Sequence, residues 1–267
     1  MSIDVTKQDG LHIITINRPE RRNALDLPHF QDLADAWIDF RDDEDARVAI
    51  ITGTGKDFTV GADLKSFVPA IAGETERIAA ERAEGKANPA EAGLIAVLRE
   101  FELWKPVIAA VNGTCVAGGM EMLMGTDIRI ASTQASFGIF EPKRGLFPGG
   151  GTTVRLPRQI PFAWAMEVLL LCEAVDAATA LRMGIVNAVV EPERLLDEAK
   201  DWARRIMANA PLAIEATKRS VLTGLRLPLK EAFEQELLEA ATVFMSEDAK
   251  EGPRAFAEKR PPVWQRK

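Results

Sequence analysis

The sequence predicts an α/β fold, and three observations carry that reading. Short β-branched apolar runs alternate with stretches of helical spacing up to about Gly184. Two of those runs, Val48 to Thr52 and Val107 to Val111, are apolar at nearly every position, as in strands buried on both faces. Beyond Pro192 the pattern is helical throughout.

Ile3 and Val5, then Leu11, Ile13, Ile14 and Ile16, flank Asp9-Gly10, the signature of two strands joined by a tight turn. Asn17-Arg18-Pro19-Glu20 breaks the second strand. Leu33, Ala34, Trp37, Ile38 and Phe40 recur at helical spacing, and Gly53 stops the strand that follows. Pro69 to Gly93 is rich in Ala, Glu, Gly and Arg and reads as exposed helix and loop. Leu94 to Trp104 is helical in pattern, ended by Lys105-Pro106 because proline disfavours helix in the residue before it. Asn112-Gly113 turns out of the strand at Val107 to Val111. Ile128 to Ala131 and Val186 to Val190 are further strands. The helix starting near Lys230 carries Ala232, Phe233, Leu237, Leu238, Ala241 and Phe244 as one stripe. A tail this apolar must pack on its own core or on a neighbouring subunit.

With 267 residues, 47% hydrophobic and 27% charged, the chain has enough apolar material for a sizeable core and is not disordered by composition. A formal net charge of −7 argues against a nucleic-acid binder. Cys115 and Cys172 supply neither a metal-ligand spacing nor a disulfide framework, so no metal is expected and a reducing compartment is. The first ten residues lack an apolar targeting core, and no run approaches the ~20 apolar residues a membrane span needs. A soluble, cytoplasmic protein without nucleic-acid or membrane partners is expected.

Several motifs carry little. Gly53-Thr-Gly-Lys56 lacks the earlier glycine of a phosphate-binding loop and has Asp57 for its hydroxyl residue. Gly149-Gly150-Gly151-Thr152 reads as a phosphate cradle at a helix start or as a tight turn permitting close backbone approach. His12 and His29 are read as structural, and Cys115 as an inert buried thiol. Chemistry then falls on carboxylates and backbone amides. Gly118-Gly119 opens a helix running through Met124, at about 1 kcal/mol per glycine. Two returns are compatible with that cost. Bare N–H groups at the helix start could hold a developing oxyanion, or the glycines could permit a close helix–strand contact. Glu121 in the same turn reads equally as a helix N-terminal carboxylate, and Glu141, before Pro142, as a loop acid.

At this point the sequence resembles the crotonase, or enoyl-CoA hydratase/isomerase, superfamily over nearly its whole length. Asn17-Arg-Pro-Glu-Arg-Arg-Asn-Ala-Leu25 is similar to its N-terminal signature, and Phe58-Thr-Val-Gly-Ala-Asp-Leu-Lys65 to its first oxyanion segment. Lys105 to Asp127 resembles its central signature and Phe137 to Gly151 its second catalytic loop. Ala180 to Asn187 and Glu247 to Phe256 match its C-terminal half.

The resemblance implies a spiral of ββα turns over residues 1–191 and a C-terminal helical region, 192–267, packing between subunits of a homotrimer or homohexamer. It implies an acyl-CoA thioester substrate, with CoA carried by the substrate and no separate cofactor. The oxyanion donors map onto the N–H groups of Ala62 and Gly118. The catalytic pair maps onto Glu121, activating water for attack at the β-carbon, and Glu141, delivering a proton at the α-carbon. CoA contacts map onto Arg18, Arg21, Arg22 and Ala24, with Lys259 from the C-terminal region. The implied activity is hydration of trans-2-enoyl-CoA, a carbon–oxygen lyase step of the kind used in fatty-acid β-oxidation. The alternative is enoyl-CoA isomerisation or another acyl-CoA lyase or hydrolase reaction of the family. Phe140 stands where many hydratases have proline, and Pro142-Lys143-Arg144 where they are often apolar, so the acyl group accepted is expected to differ. Residues 70–93 fall in the variable substrate-facing segment.

Overall fold

Residues 3–66 and 91–267 are described by a computed structural model. The Ala- and Glu-rich stretch from Pro69 lies outside the described residues up to position 90. The N-terminal hairpin forms as expected. Strands β1 (Ile3–Gln8) and β2 (Leu11–Ile16) pair antiparallel, with Gln8 opposite Leu11. Asp9 and Gly10 both take positive φ, 48° and 80°, which a two-residue hairpin turn matched to strand twist requires.

Helix α1 (Leu27–Asp42) follows, capped by Asp26, whose side chain accepts the His29 N–H at 3.2 Å. Its far end is closed by the buried Lys105 ammonium, which donates to the carbonyls of Phe40, Arg41 and Asp43 at 3.0, 2.9 and 2.5 Å. Three strand pairs come next: β3 (Val48–Gly53) with β4 (Asp57–Thr59), β5 (Val107–Val111) with β6 (Thr114–Val116), and β7 (Ile128–Ser132) with β8 (Ser136–Gly138). The first member of each pair joins one sheet and the second member joins another. With β9 (Val175–Asp176) and β10 (Ala188–Val190), the sheets run β1-β2-β3-β5-β7-β10 and β4-β6-β8-β9. The central strands are parallel in both. This is the spiral of ββα turns implied by the resemblance.

The continuous apolar strands face two cores. Ala49, Ile51, Val107, Ala109 and Val111 point into the core shared with α1 and the smaller sheet. Val48, Ile50, Ile108 and Ile130 point the other way, against Leu195, Ala199 and Ala203 of α7. The intervening helices are α2 (Glu91–Ala96), α3 (Gly118–Leu123), α4 (Thr152–Gln159), α5 (Phe162–Leu171), α6 (Ala177–Met183) and α7 (Leu195–Met207).

The helix expected over Leu94 to Trp104 is corrected: α2 ends at Ala96. Leu98 and Glu100 take positive φ, 55° and 54°, which no helix accommodates. The local carbonyls are claimed from elsewhere, Ala96 O by the Trp37 indole at 3.2 Å and those of Val97 and Leu98 by the Arg155 guanidinium. Tertiary hydrogen bonds override the helical spacing.

The chain closes with α8 (Pro211–Gly224), α9 (Leu229–Phe244) and α10 (Glu247–Ala257). The stripe on α9 does not pack on this chain's own core. Phe233, Leu237, Leu238 and Phe244 are 57%, 68%, 63% and 76% exposed. The buried residue of that helix is Glu239, paired with Arg219 of α8 at 2.7 Å. Among the described residues no helix is long and apolar enough to cross a membrane.

Candidate active site

The second sheet ends its strands beside the start of α3. Ala117 cranks the chain out of β6 at φ 53°, ψ −126°, a backbone state costly for an L-residue, and its N–H donates to Gly138 O at 3.0 Å. Gly118 and Gly119 then meet different neighbours. A methyl group on Gly119 would stand 2.5 Å from Thr59 O, so this glycine serves the close helix–strand contact. One on Gly118 would stand 3.2 Å from Gly61 Cα and 3.6 Å from Ala62 N. Gly119 thus fills the close-contact reading of the glycine pair, while Gly118 lies against the backbone of Gly61 and Ala62.

Gly61 and Ala62 are held against Leu25, ahead of α1, by an isolated parallel bridge. Leu25 N donates to Gly61 O at 2.8 Å and Asp63 N to Leu25 O at 2.7 Å, leaving Ala62 N between them facing away from that bridge. Among the described residues neither Ala62 N–H nor Gly118 N–H donates to a protein acceptor. Two backbone donors from separate segments thus lie side by side.

Glu121, one turn into α3, is buried at 7% exposure. One of its oxygens accepts the Gly150 N–H. A methyl group on Gly150 would stand 2.2 Å from the other oxygen. The Gly149-Gly150-Gly151 run thus fits the reading of a tight turn permitting close backbone approach: it lets backbone close onto a carboxylate. Burial and the nearby Glu141 push Glu121 up to about 7, against the pull of the Gly150 N–H and Arg155. Glu141 follows β8 and starts the single turn Pro142–Arg144. Burial raises it too, opposed by main-chain hydrogen bonds at Glu141 and Phe140 and by Arg144. Its Oε2 is buried and finds no partner among the described residues. The charge of Glu141 thus acts on Glu121, which places the two carboxyl groups within electrostatic reach of each other. Cys115 is fully buried, and burial pushes its thiol far up, so it stays an inert core residue.

A family model described as enoyl-CoA hydratase/isomerase matches residues 6–267. The chain belongs to that family. It is 43% identical over 253 residues to the enoyl-CoA hydratase EchA19 of Mycobacterium tuberculosis, covering 95% of this chain and 92% of that one. It is 39% identical to the carnitinyl-CoA dehydratase of Citrobacter koseri, covering 98% of each. The crystal structure of enoyl-CoA hydratase EchA1 from Mycobacterium marinum superposes with a TM-score of 0.88 at 39% identity, over 100% of this chain and 99% of that one.

Within this enoyl-CoA hydratase/isomerase family member, the expected CoA-binding residues are less uniform than their sequence cluster suggests. Arg18 is engaged internally, with Asp26 at 3.3 Å, Asp63 at 3.3 Å and Ala24 O at 2.9 Å. It ties the N-terminal motif to the Gly61–Ala62 segment. Arg22 pairs with Asp57 at 2.8 Å while staying 61% exposed. Arg21 is exposed with its guanidinium unpaired among the described residues, and Ala24 is buried beside Leu25. Lys259, at φ 53°, is exposed just beyond α10, and no described contact joins it to the N-terminal motif. Sequence reasoning missed Asn23, a fully buried side chain that donates to Thr54 O and Asp57 O at 3.0 and 2.6 Å and accepts Arg18 N–H at 2.9 Å. It also missed Gly150 and Arg155 as partners of Glu121. The triple glycine was the available signal for the first.

Proposed function

We propose that the protein is an enoyl-CoA hydratase, adding water reversibly to trans-2-enoyl-CoA to give 3-hydroxyacyl-CoA. The observation that carries this reading is that the charge of half-buried Glu141 acts on buried Glu121, each carboxyl being raised by burial, with two backbone N–H groups free of protein acceptors at and beside the start of the helix that carries Glu121. Burial raises both carboxyl groups, and repulsion from Glu141 adds to the rise at Glu121, so the pair holds a proton toward neutral pH. The division of roles follows the family resemblance: hydration uses the form with Glu121 ionised, as base, and Glu141 protonated, as acid. The Gly150 N–H and Arg155 support the ionised Glu121 against the burial that otherwise leaves the proton on it.

In that reading Glu121 takes a proton from water as the water oxygen bonds to the β-carbon. The double-bond electrons move onto the thioester oxygen, held by the Ala62 and Gly118 N–H groups. Those donors bind the oxygen more tightly as its charge grows, which lowers the barrier rather than merely the ground state. The enolate then takes the Glu141 proton at the α-carbon. Dehydration is the same path reversed, and the similarity to a carnitinyl-CoA dehydratase makes loss of water from a functionalised acyl-CoA the second reading. Arg21 and the exposed Arg22 offer cations to CoA phosphates. An exposed pair such as Arg22 with Asp57 is worth only ~0–1 kcal/mol and exchanges readily for phosphate.

Purified protein is expected to bleach the conjugated-thioester absorbance of 2-enoyl-CoAs at some chain length; no loss at any length refutes hydration. The exposed α9 stripe is assigned to contacts between copies of the chain. Light scattering in solution is expected to give the mass of a trimer or hexamer, and a monomer would remove the assignment of Lys259 to a neighbour's CoA.

A further inference from the structure

Behind Glu121 lies a guanidinium held by main-chain carbonyls. Arg155, in α4, donates through Nη1 to Val97 O at 3.0 Å and to Glu121 O at 3.3 Å, and through Nη2 to Leu98 O. Gly125 leaves room for it: a methyl group there would stand 2.8 Å from Nη1. Among the described residues no carboxylate forms an ion pair with it. Half-burying a guanidinium without an ion-pair partner carries a desolvation cost that three main-chain carbonyls offset only in part. The carboxylate whose charge acts on it is Glu121.

We propose that Arg155 is a positioning residue for Glu121: bonded to the carbonyls of Val97, Leu98 and Glu121, it fixes the turn carrying that carboxylate and places a permanent positive charge behind it. The inference rests on the hydratase reading for its role in turnover, though not for its effect on the carboxyl group. The geometry also explains why the chain between α2 and β5 abandons helix, since the turn at Val97 and Leu98 exists to present carbonyls to Arg155.

The charges around the pair are few. Glu121 faces Glu141 across the site and Arg155 behind, with the Gly150 N–H on its oxygen and the Thr152 hydroxyl beside the carboxylate. Arg155 itself faces Glu121, with Arg99 and Arg226 as like charges beside it. Arg99 also holds the glycine loop, donating to Gly149 O. Arg144 plays a comparable part for Glu141, its Nη1 donating to Phe140 O at 3.1 Å, but from an exposed position where solvent screens it.

The test is a carbon-13 NMR titration of glutamate carboxyls in the full-length protein, with Glu121 assigned by its loss in Glu121→Gln. Arg155→Gln is expected to raise the Glu121 midpoint by about one pH unit, the low end for losing a neighbouring opposite charge. Arg155→Lys keeps the charge and is expected to leave it near the wild-type value. With but-2-enoyl-CoA, the acid limb of kcat/KM should move with the carboxyl, so activity at pH 6 falls about tenfold relative to the high-pH plateau. Circular dichroism establishes folding, and Arg155→Met replaces the glutamine variant if that one does not fold. An unmoved midpoint in a folded neutral variant overturns the proposal. So does an equal shift in Arg155→Lys, or failure of both neutral variants to fold while Arg155→Lys does, which would make the charge a requirement of the fold alone. A shifted carboxyl in a protein that hydrates no enoyl-CoA would refute the hydratase reading while upholding the electrostatic role of Arg155.

Discussion

Glu121→Gln is expected to lower kcat for enoyl-CoA hydration by about three orders of magnitude, within the usual range for removing a positioned general base. Glutamine keeps an oxygen to accept the Gly150 N–H and nearly the same volume, so the clamp over α3 survives. What goes is the ability to take a proton from water. The same substitution should not destabilise the protein. The Glu121 carboxyl sits above its unfolded value of 4.5, at about 7. A group raised on folding contributes stability that is complete below its unfolded pKa and is lost as pH climbs through the folded one. Wild-type protein therefore loses stability between about pH 4.5 and 7 from this group, and Glu121→Gln does not. Thermal midpoints measured at pH 5 and pH 8 should differ less in the variant than in wild type. A variant that retains near-wild-type turnover would remove Glu121 from the chemistry.

Gly61→Ala is expected to cost at least about a hundredfold in kcat, the loss typical of one missing oxyanion donor. Gly61 sits at φ 81°, where an alanine is strained, and the new methyl would stand 2.5 Å from Gly118 N and 3.1 Å from Gly118 Cα. Something must move, and the atoms available are the two segments carrying the Ala62 and Gly118 N–H groups. Gly149→Ala is the matched control, because its methyl would meet only Phe147 O at 3.9 Å. Steady-state kinetics of both variants decide the matter. If Gly61→Ala folds and turns over at the wild-type rate, those N–H groups are not the oxyanion donors.

Much of the fold was legible because apolar spacing is local. The Asp9-Gly10 hairpin, the two-faced strands at Val48 to Thr52 and Val107 to Val111, and the helix opened by Gly118 all follow from neighbours in sequence. The failure at Leu94 to Trp104 has a non-local cause, since the carbonyls that leave the helix are bonded by Trp37 and Arg155. The site divides the same way. Gly118, Glu121 and Glu141 were visible as residue types at telling positions. The closeness of Gly61 to Gly118, and the closing of Gly150 onto Glu121, depend on segments that meet only after the spiral winds. The internal ion pairs of Arg18, which the resemblance places among the CoA contacts, were likewise invisible in sequence, since Asp26 and Asp63 meet its guanidinium only in the fold. Family resemblance pointed to the Ala62 and Gly118 N–H groups and to the two glutamates, and the geometry adds what holds these residues in place.

The central claim is that this site joins water to the β-carbon of an unsaturated thioester. Turnover of but-2-enoyl-CoA in oxygen-18-labelled water, read by mass spectrometry of the intact acyl-CoA, tests it most directly. One labelled oxygen at the β-carbon, with CoA still attached and the label absent in Glu121→Gln, is the result predicted. An unlabelled isomer, or free CoA with the label in a released carboxylate, would contradict it.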